Sequence, residues 1–134
     1  MICTGKSYYD AEYKYNEDGE HELDYVIIIK PQFFTPPLKY ITIPRECPQA
    51  VKDNLIEAFY LTPLSLSSTV NRIRIAIENL LNSFKIPKTK IIKGHRKRLN
   101  LHERIRIGSS KIKVLGRLEE AMTAFVHFPL IETL

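Results

Sequence analysis

Apolar side chains recur at helical spacing in two adjacent stretches. In the first, Val51, Leu55, Ile56, Phe59 and Tyr60 fall on one stripe, which predicts a helix opening at Pro48 and broken by Thr62-Pro63. In the second, Val70, Ile73, Ile77, Leu80, Leu81 and Phe84 repeat at intervals of three and four, with Ile75 and Ala76 widening the stripe. That helix is expected from Ser65 or Ser67 to Phe84, and the short link makes the two antiparallel neighbours. Further on, Leu101, Ile105 and Ile107 suggest a short helix over 99–107, punctuated by Gly108-Ser109-Ser110. A last helix over 110–125 would turn Ile112, Leu115, Leu118, Met122 and Phe125 inward and stop at Pro129, before an apolar tail over 126–134.

The N-terminal part follows a different rhythm. Tyr9, Tyr13, Tyr15 and the run Val26 to Ile29 suit strands, and Asp18-Gly19 suits a turn, so a hairpin is expected between 8–15 and 23–30. Pro31, Pro36, Pro37, Pro44 and Pro48 make residues 31–48 an extended strap, with 38–43 as a short edge strand. Residues 85–98, interrupted by Pro87 and Gly94, read as a basic loop. The expected fold class is mainly α, though α+β by strict count: a small helical bundle preceded by a short β-hairpin and an extended, proline-rich strap. Residues 1–47 form the acidic, tyrosine-rich hairpin and strap, packed on a bundle of residues 48–134, as one compact unit.

Composition adds few constraints and charge adds more. Of the 134 residues 44% are hydrophobic and 26% charged, values of an ordinary folded chain. No apolar run approaches the roughly 20 residues of a membrane span, and the start of the chain lacks the apolar core of a secretory signal, so a cytoplasmic location without a membrane is expected. The net charge is +5, unevenly spread. Residues 1–24 hold seven acids, Asp10, Glu12, Glu17, Asp18, Glu20, Glu22 and Asp24, against Lys6 and Lys14. Residues 85–117 hold twelve bases against Glu103 alone. Such a segment suits a polyanion, and Lys88, Lys90, Lys93, Arg96, Lys97 and Arg98 are the candidate phosphate contacts. The acidic arm would alternatively shield the basic segment or pair with it on another subunit.

Candidate chemistry is sparse. Cys3 and Cys47 lie far apart and are expected to be reduced thiols; without a Cys-x-x-Cys spacing no zinc site, and no other metal or cofactor, is expected. The serines lack a His–Asp context, and neither a nucleophile elbow nor a phosphate loop occurs. No pair among His21, His95, His102 and His127 has metal-ligand spacing. Arg74 and Glu78 are four apart on the central helix and form a structural polar node, expected to tie down a neighbouring helix through Arg104 or Glu119.

Ile43-Pro44-Arg45 leading into Pro48, then Glu57-Ala58, then Arg74 to Leu81 in the pattern R-x-x-x-E, and finally Arg104-Ile105, resemble the bacterial domain-of-unknown-function family numbered 4145. That family is similar in turn to the HEPN superfamily of small helical bundles, many of them dimeric RNases or RNA-binding modules in phage defence. The resemblance implies a HEPN-like module that associates with protein and contacts RNA. The family's C-terminal Gly-Asn…His motif is missing, and His127 has no arginine at the Arg-x(4–6)-His spacing of the active RNases. Arg96 and His102 do fit that spacing, though in the basic loop. The leading expectation is therefore a non-catalytic module, dimeric or part of a larger complex through its tail and last two helices, with RNA or DNA as further partner and no small-molecule substrate. The alternatives are a metal-independent RNase acting as a dimer, with Arg96 and His102 as its catalytic candidates or an Arg74–Glu78 site contributed across the dimer, and an inhibitor whose acidic arm mimics nucleic acid.

Overall fold

The computed structural model describes residues 1–127. The chain divides into two compact units, Met1–Leu38 and the part from Lys39 onward. The mainly α expectation is corrected: the described residues are 45% helix and 29% strand, four helices with two small antiparallel sheets, an α+β protein. Expectations for residues 128–134, including the Pro129 stop and most of the apolar tail, lie outside the described residues.

The first unit is a single antiparallel ribbon of β1 (Ile2–Tyr15) and β2 (His21–Thr35), longer at its open end than the tyrosine pattern suggested. Asn16 closes its turn by accepting the Asp18 and Glu20 amides on its side chain, with Gly19 at φ 76°. Pro31 does not end β2 because Gly5 stands opposite it, where the register slips between Thr4 and Gly5. A proline has no N–H for the ladder and is accepted at a bulge. The absent side chain matters too, since a Cβ on Gly5 would overlap the Lys30 carbonyl oxygen.

In the second unit, residues 39–48 hold no strand, against the expectation for 38–43. Tyr40 packs instead against Phe59, ring centroids 5.8 Å apart, and the Arg45 carbonyl accepts Lys52 Nζ at 2.7 Å. Helix α1 (Gln49–Leu61) starts after Pro48, and α2 (Leu66–Ser83) starts at Ser65, whose hydroxyl accepts the Ser68 amide. Arg72 meets Glu57 at 2.8 Å across this pair.

Between α2 and the next helix, the expected loop folds as a hairpin of β3 (Thr89–Ile92) and β4 (His95–Arg98). Then follow α3 (Leu101–Lys111) and α4 (Lys113–His127). The core gathers Ile77 and Leu81 of α2, Ile86 of the linker, Ile105 of α3, and Leu115 and Met122 of α4. Phe84 and Leu118, expected inward, are exposed. Gly108 does not punctuate α3 but lies buried within it. A Cβ there would come within 3.2 Å of both Leu115 Cδ1 and Leu81 Cδ2, so the glycine lets three helices close together.

Two core substitutions test this packing. Leu81→Ala, which empties a fully buried position, should lower stability by about 2–5 kcal/mol. Gly108→Val, which overfills one, should lower it by about 1–3 kcal/mol. Urea denaturation followed by helical circular dichroism reads both, and an unchanged midpoint for Gly108→Val would mean that α3 is not held as described.

Candidate nucleic-acid interface

The basic segment begins where α2 stops. Lys85 takes a left-handed conformation (φ 58°), the Ile86 amide reaches back to the Leu81 carbonyl at 3.0 Å, and the helix end is closed without a glycine. Ile86 and Leu99, both buried, fix the two feet of the hairpin, and the Leu99 amide donates to the Lys88 carbonyl at 2.8 Å between them. At the tip Lys93 and Gly94 have φ of 49° and 79°, the pattern of a two-residue hairpin turn of type I′. Asparagine or glycine usually holds the first of those places. A lysine there stores roughly 1 kcal/mol of backbone strain.

The register sorts the side chains. Lys90 stands opposite Lys97, and Ile92 opposite His95, on one face; Ile91 opposes Arg96, and Thr89 opposes Arg98, on the other. Lys90 and Lys97 directly across from each other repel. Lys90 is relieved by Glu103 Oε1 at 2.9 Å. Lys88, Lys93, Arg96, Lys97 and Arg98 are exposed, so bases line both faces, the tip and the foot of one short ribbon. Ile91 is also exposed.

Two groups hold the ribbon to the helices. Asn100 caps α3 by accepting the Glu103 amide at 2.8 Å, and Glu103 Oε2 accepts the Asn100 amide at 2.9 Å while its other oxygen holds Lys90. The Lys90 ammonium, then the Asn100 amide, keep the Glu103 carboxyl below the usual carboxylate range. Arg104, 6% exposed, donates to Asn82 Oδ1 at 2.7 Å and to the Ile86 and Pro87 carbonyls at 3.2 and 3.3 Å. Burial pulls its pKa down; Glu78 opposes that shift and Arg98 adds to it. Glu78, Asn82, Lys88, Arg98 and Arg104 meet around a recess of about 90 Å³ at the foot of the hairpin.

The expected node is thus shared out. Glu78 faces the Arg104 side of α2, whereas Arg74 reaches α4, donating through Nε to the Phe125 carbonyl at 2.7 Å and through Nη2 to the Val126 carbonyl at 3.0 Å. Carbonyls of a last helical turn lack intrahelical partners, and a cation suits that end of the dipole. Arg96 lies on β4 rather than in a loop. His102 borders a shallow open groove with Arg106, Gly116, Glu119, Glu120 and Thr123, a lining that does not include Arg96. The structure brings the His102 and His127 rings to 5.2 Å, a juxtaposition that a 25-residue separation hid, and His102 Nδ1 is buried with no hydrogen-bond partner. Cys3 and Cys47 are free thiols, and no group of three His, Cys, Asp or Glu among the described residues is placed to hold a metal ion. No described helix is long and apolar enough to cross a membrane.

The Glu103 contacts carry a pH signature. A carboxyl depressed in the folded state stabilises the fold above its unfolded pKa and loses that contribution as pH falls through the folded value. Glu103→Gln should therefore be less stable than the parent chain at pH 7, and the gap should close in acid as the parent carboxyl protonates. Denaturation of the two proteins at both pH values checks this, and a gap that persists in acid would refute it.

No protein-family model, curated protein or solved structure matches this chain.

Proposed function

We propose that the chain is a non-catalytic nucleic-acid-binding module that grips the phosphate backbone with the β3–β4 hairpin. The observation carrying this reading is Lys93 at the strained tip. A position that favours asparagine or glycine is occupied by a cation, on a ribbon already crowded with like charge. Local strain and uncompensated charge at one place are what a binding site tolerates and a merely solvated surface has no need of. The bases are arranged to meet phosphates along a groove rim, and the width of a two-stranded ribbon suits a DNA major groove. Contacts of this kind position without reading sequence. The likeness of residues 43–81 to family 4145 supports a prokaryotic or phage-defence setting as part of the same proposal.

Lys93→Asn separates folding from binding. Asparagine accepts positive φ, so the variant should keep or gain stability, by up to about 1 kcal/mol, while binding nucleic acid more weakly. A triple variant, Lys93→Glu with Arg96→Glu and Lys97→Glu, should lose at least tenfold in affinity for duplex DNA at low salt. Fluorescence anisotropy with labelled DNA and RNA duplexes reads both. For the parent chain, log K should fall against log salt with a slope of about −3 to −4, as expected for roughly four neutralised phosphates. Binding indifferent to salt, or unchanged in the triple variant, would sink the proposal.

A further inference from the structure

The β1–β2 ribbon is two-faced. Its register puts Tyr9 opposite Ile27, Ala11 opposite Tyr25, Tyr13 opposite Leu23 and Ser7 opposite Ile29, all on one face. The other face carries Asp10, Glu12, Lys14, Glu22 and Asp24 beside Tyr8, Val26 and Ile28, with Lys14 and Asp24 paired at 2.9 Å. The apolar face is bare. Tyr9, Tyr13, Tyr15, Tyr25, Ile27 and Ile29 are each between 58% and 75% exposed. Scattered exposed apolar residues are ordinary, but a continuous stripe is an interface. A lone two-stranded ribbon is also marginal in water, since neither strand has a second layer to pack on.

We infer that this face packs against the same face of a second copy, joining two ribbons into a small two-layered β-sandwich. Three observations select a second copy as the occupant. The area is right: side chains of this size at these exposures present on the order of 900 Å², close to the roughly 800 Å² each partner gives to a stable complex. The charges permit it, because Asp10, Glu12, Glu22 and Asp24 all project from the opposite face and so do not meet across the contact. The chemistry is also self-complementary, tyrosine rings alternating with β-branched and small side chains, as facing sheets require. The acidic faces then form the outside of the sandwich.

The neighbouring tyrosines Tyr8 and Tyr9 make a matched test, since they point to opposite faces and are both exposed. Sedimentation velocity of the full chain at tens of micromolar should give a dimer. Tyr9→Glu should give a monomer with its helical circular dichroism intact, and Tyr8→Glu, carrying the same loss of an aromatic ring and the same added charge, should remain dimeric. Because any general weakening of the ribbon is shared by the two variants, a difference between them reports the face. The chain has no tryptophan, so near-ultraviolet circular dichroism reports its tyrosines, and that signal should change on dilution of the parent chain and stay fixed in Tyr9→Glu. A monomeric parent chain, equal behaviour of the two variants, or open-ended assemblies built by strand-edge addition would each overturn the inference.

Discussion

An arginine taken out of water destabilises a fold unless its N–H groups find acceptors. Arg104 finds three acceptors on two successive pieces of the chain: the Asn82 side chain near the end of α2, and the Ile86 and Pro87 carbonyls of the linker. The linker thereby acquires one path out of α2. Because the arginine belongs to α3, that path ends beside the helix which the hairpin must rejoin. Breaking such a set by removing one partner leaves buried polar groups unpaired, which is why the geometry is held rather than merely favoured. The start of the basic hairpin hangs from this point.

From there the hairpin is determined step by step. Ile86 and Leu99 bury its feet, the Leu99 amide closes its base, and Glu103 clamps one strand while completing the cap of α3. What remains outside is a short ribbon whose cross-strand neighbours are lysine against lysine and isoleucine against arginine. Such pairs contribute little or negative stability. The ribbon persists because its ends are fixed, and its charges are therefore presented on a rigid support rather than on a flexible loop. Rigid presentation lowers the ordering cost of binding a polyanion.

The helical pair was legible because burial there follows a simple period, with Pro48 marking the first start and the serines at 65 and 67 bracketing the second, which falls at Ser65. The basic hairpin was not legible, for definite reasons. Its turn is Lys93-Gly94 instead of asparagine-glycine, and its strands are made largely of lysine, arginine and histidine, residues that carry no apolar alternation. Gly108 misled for the opposite reason: glycine reads locally as a breaker, whereas here its missing side chain serves a contact between helices distant in sequence. The mainly α reading failed on the basic hairpin and on the reach of β2 past Pro31, which depends on Gly5 across the ladder. Of the candidate site, the charge was readable and the arrangement was not. Six bases in a row of residue numbers say nothing about faces until a register is known.

The two ribbons of this chain show how one backbone device serves opposite surfaces. Both are two-stranded and antiparallel, and among the described residues neither has a second sheet layer within its own unit. The first gathers its acids on one face, beside Tyr8, Val26 and Ile28, and leaves the other face without an acid and rich in tyrosine and isoleucine, the face proposed here to be covered. The second places bases on both faces, of which Glu103 relieves Lys90 alone, so the proposed polyanion suits it better than an apolar partner would. The acids of the first ribbon, Asp10, Glu12, Glu22 and Asp24, stay on the side turned away from the proposed apolar contact. A dimer formed through that contact would carry two basic hairpins and double the points at which one nucleic acid is held. Two tethered sites bind more tightly than one without any new contact being made, provided that a single strand spans both. Association through the first ribbon would then raise the affinity of the second, and that coupling is the simplest physical reason for both to reside in one chain.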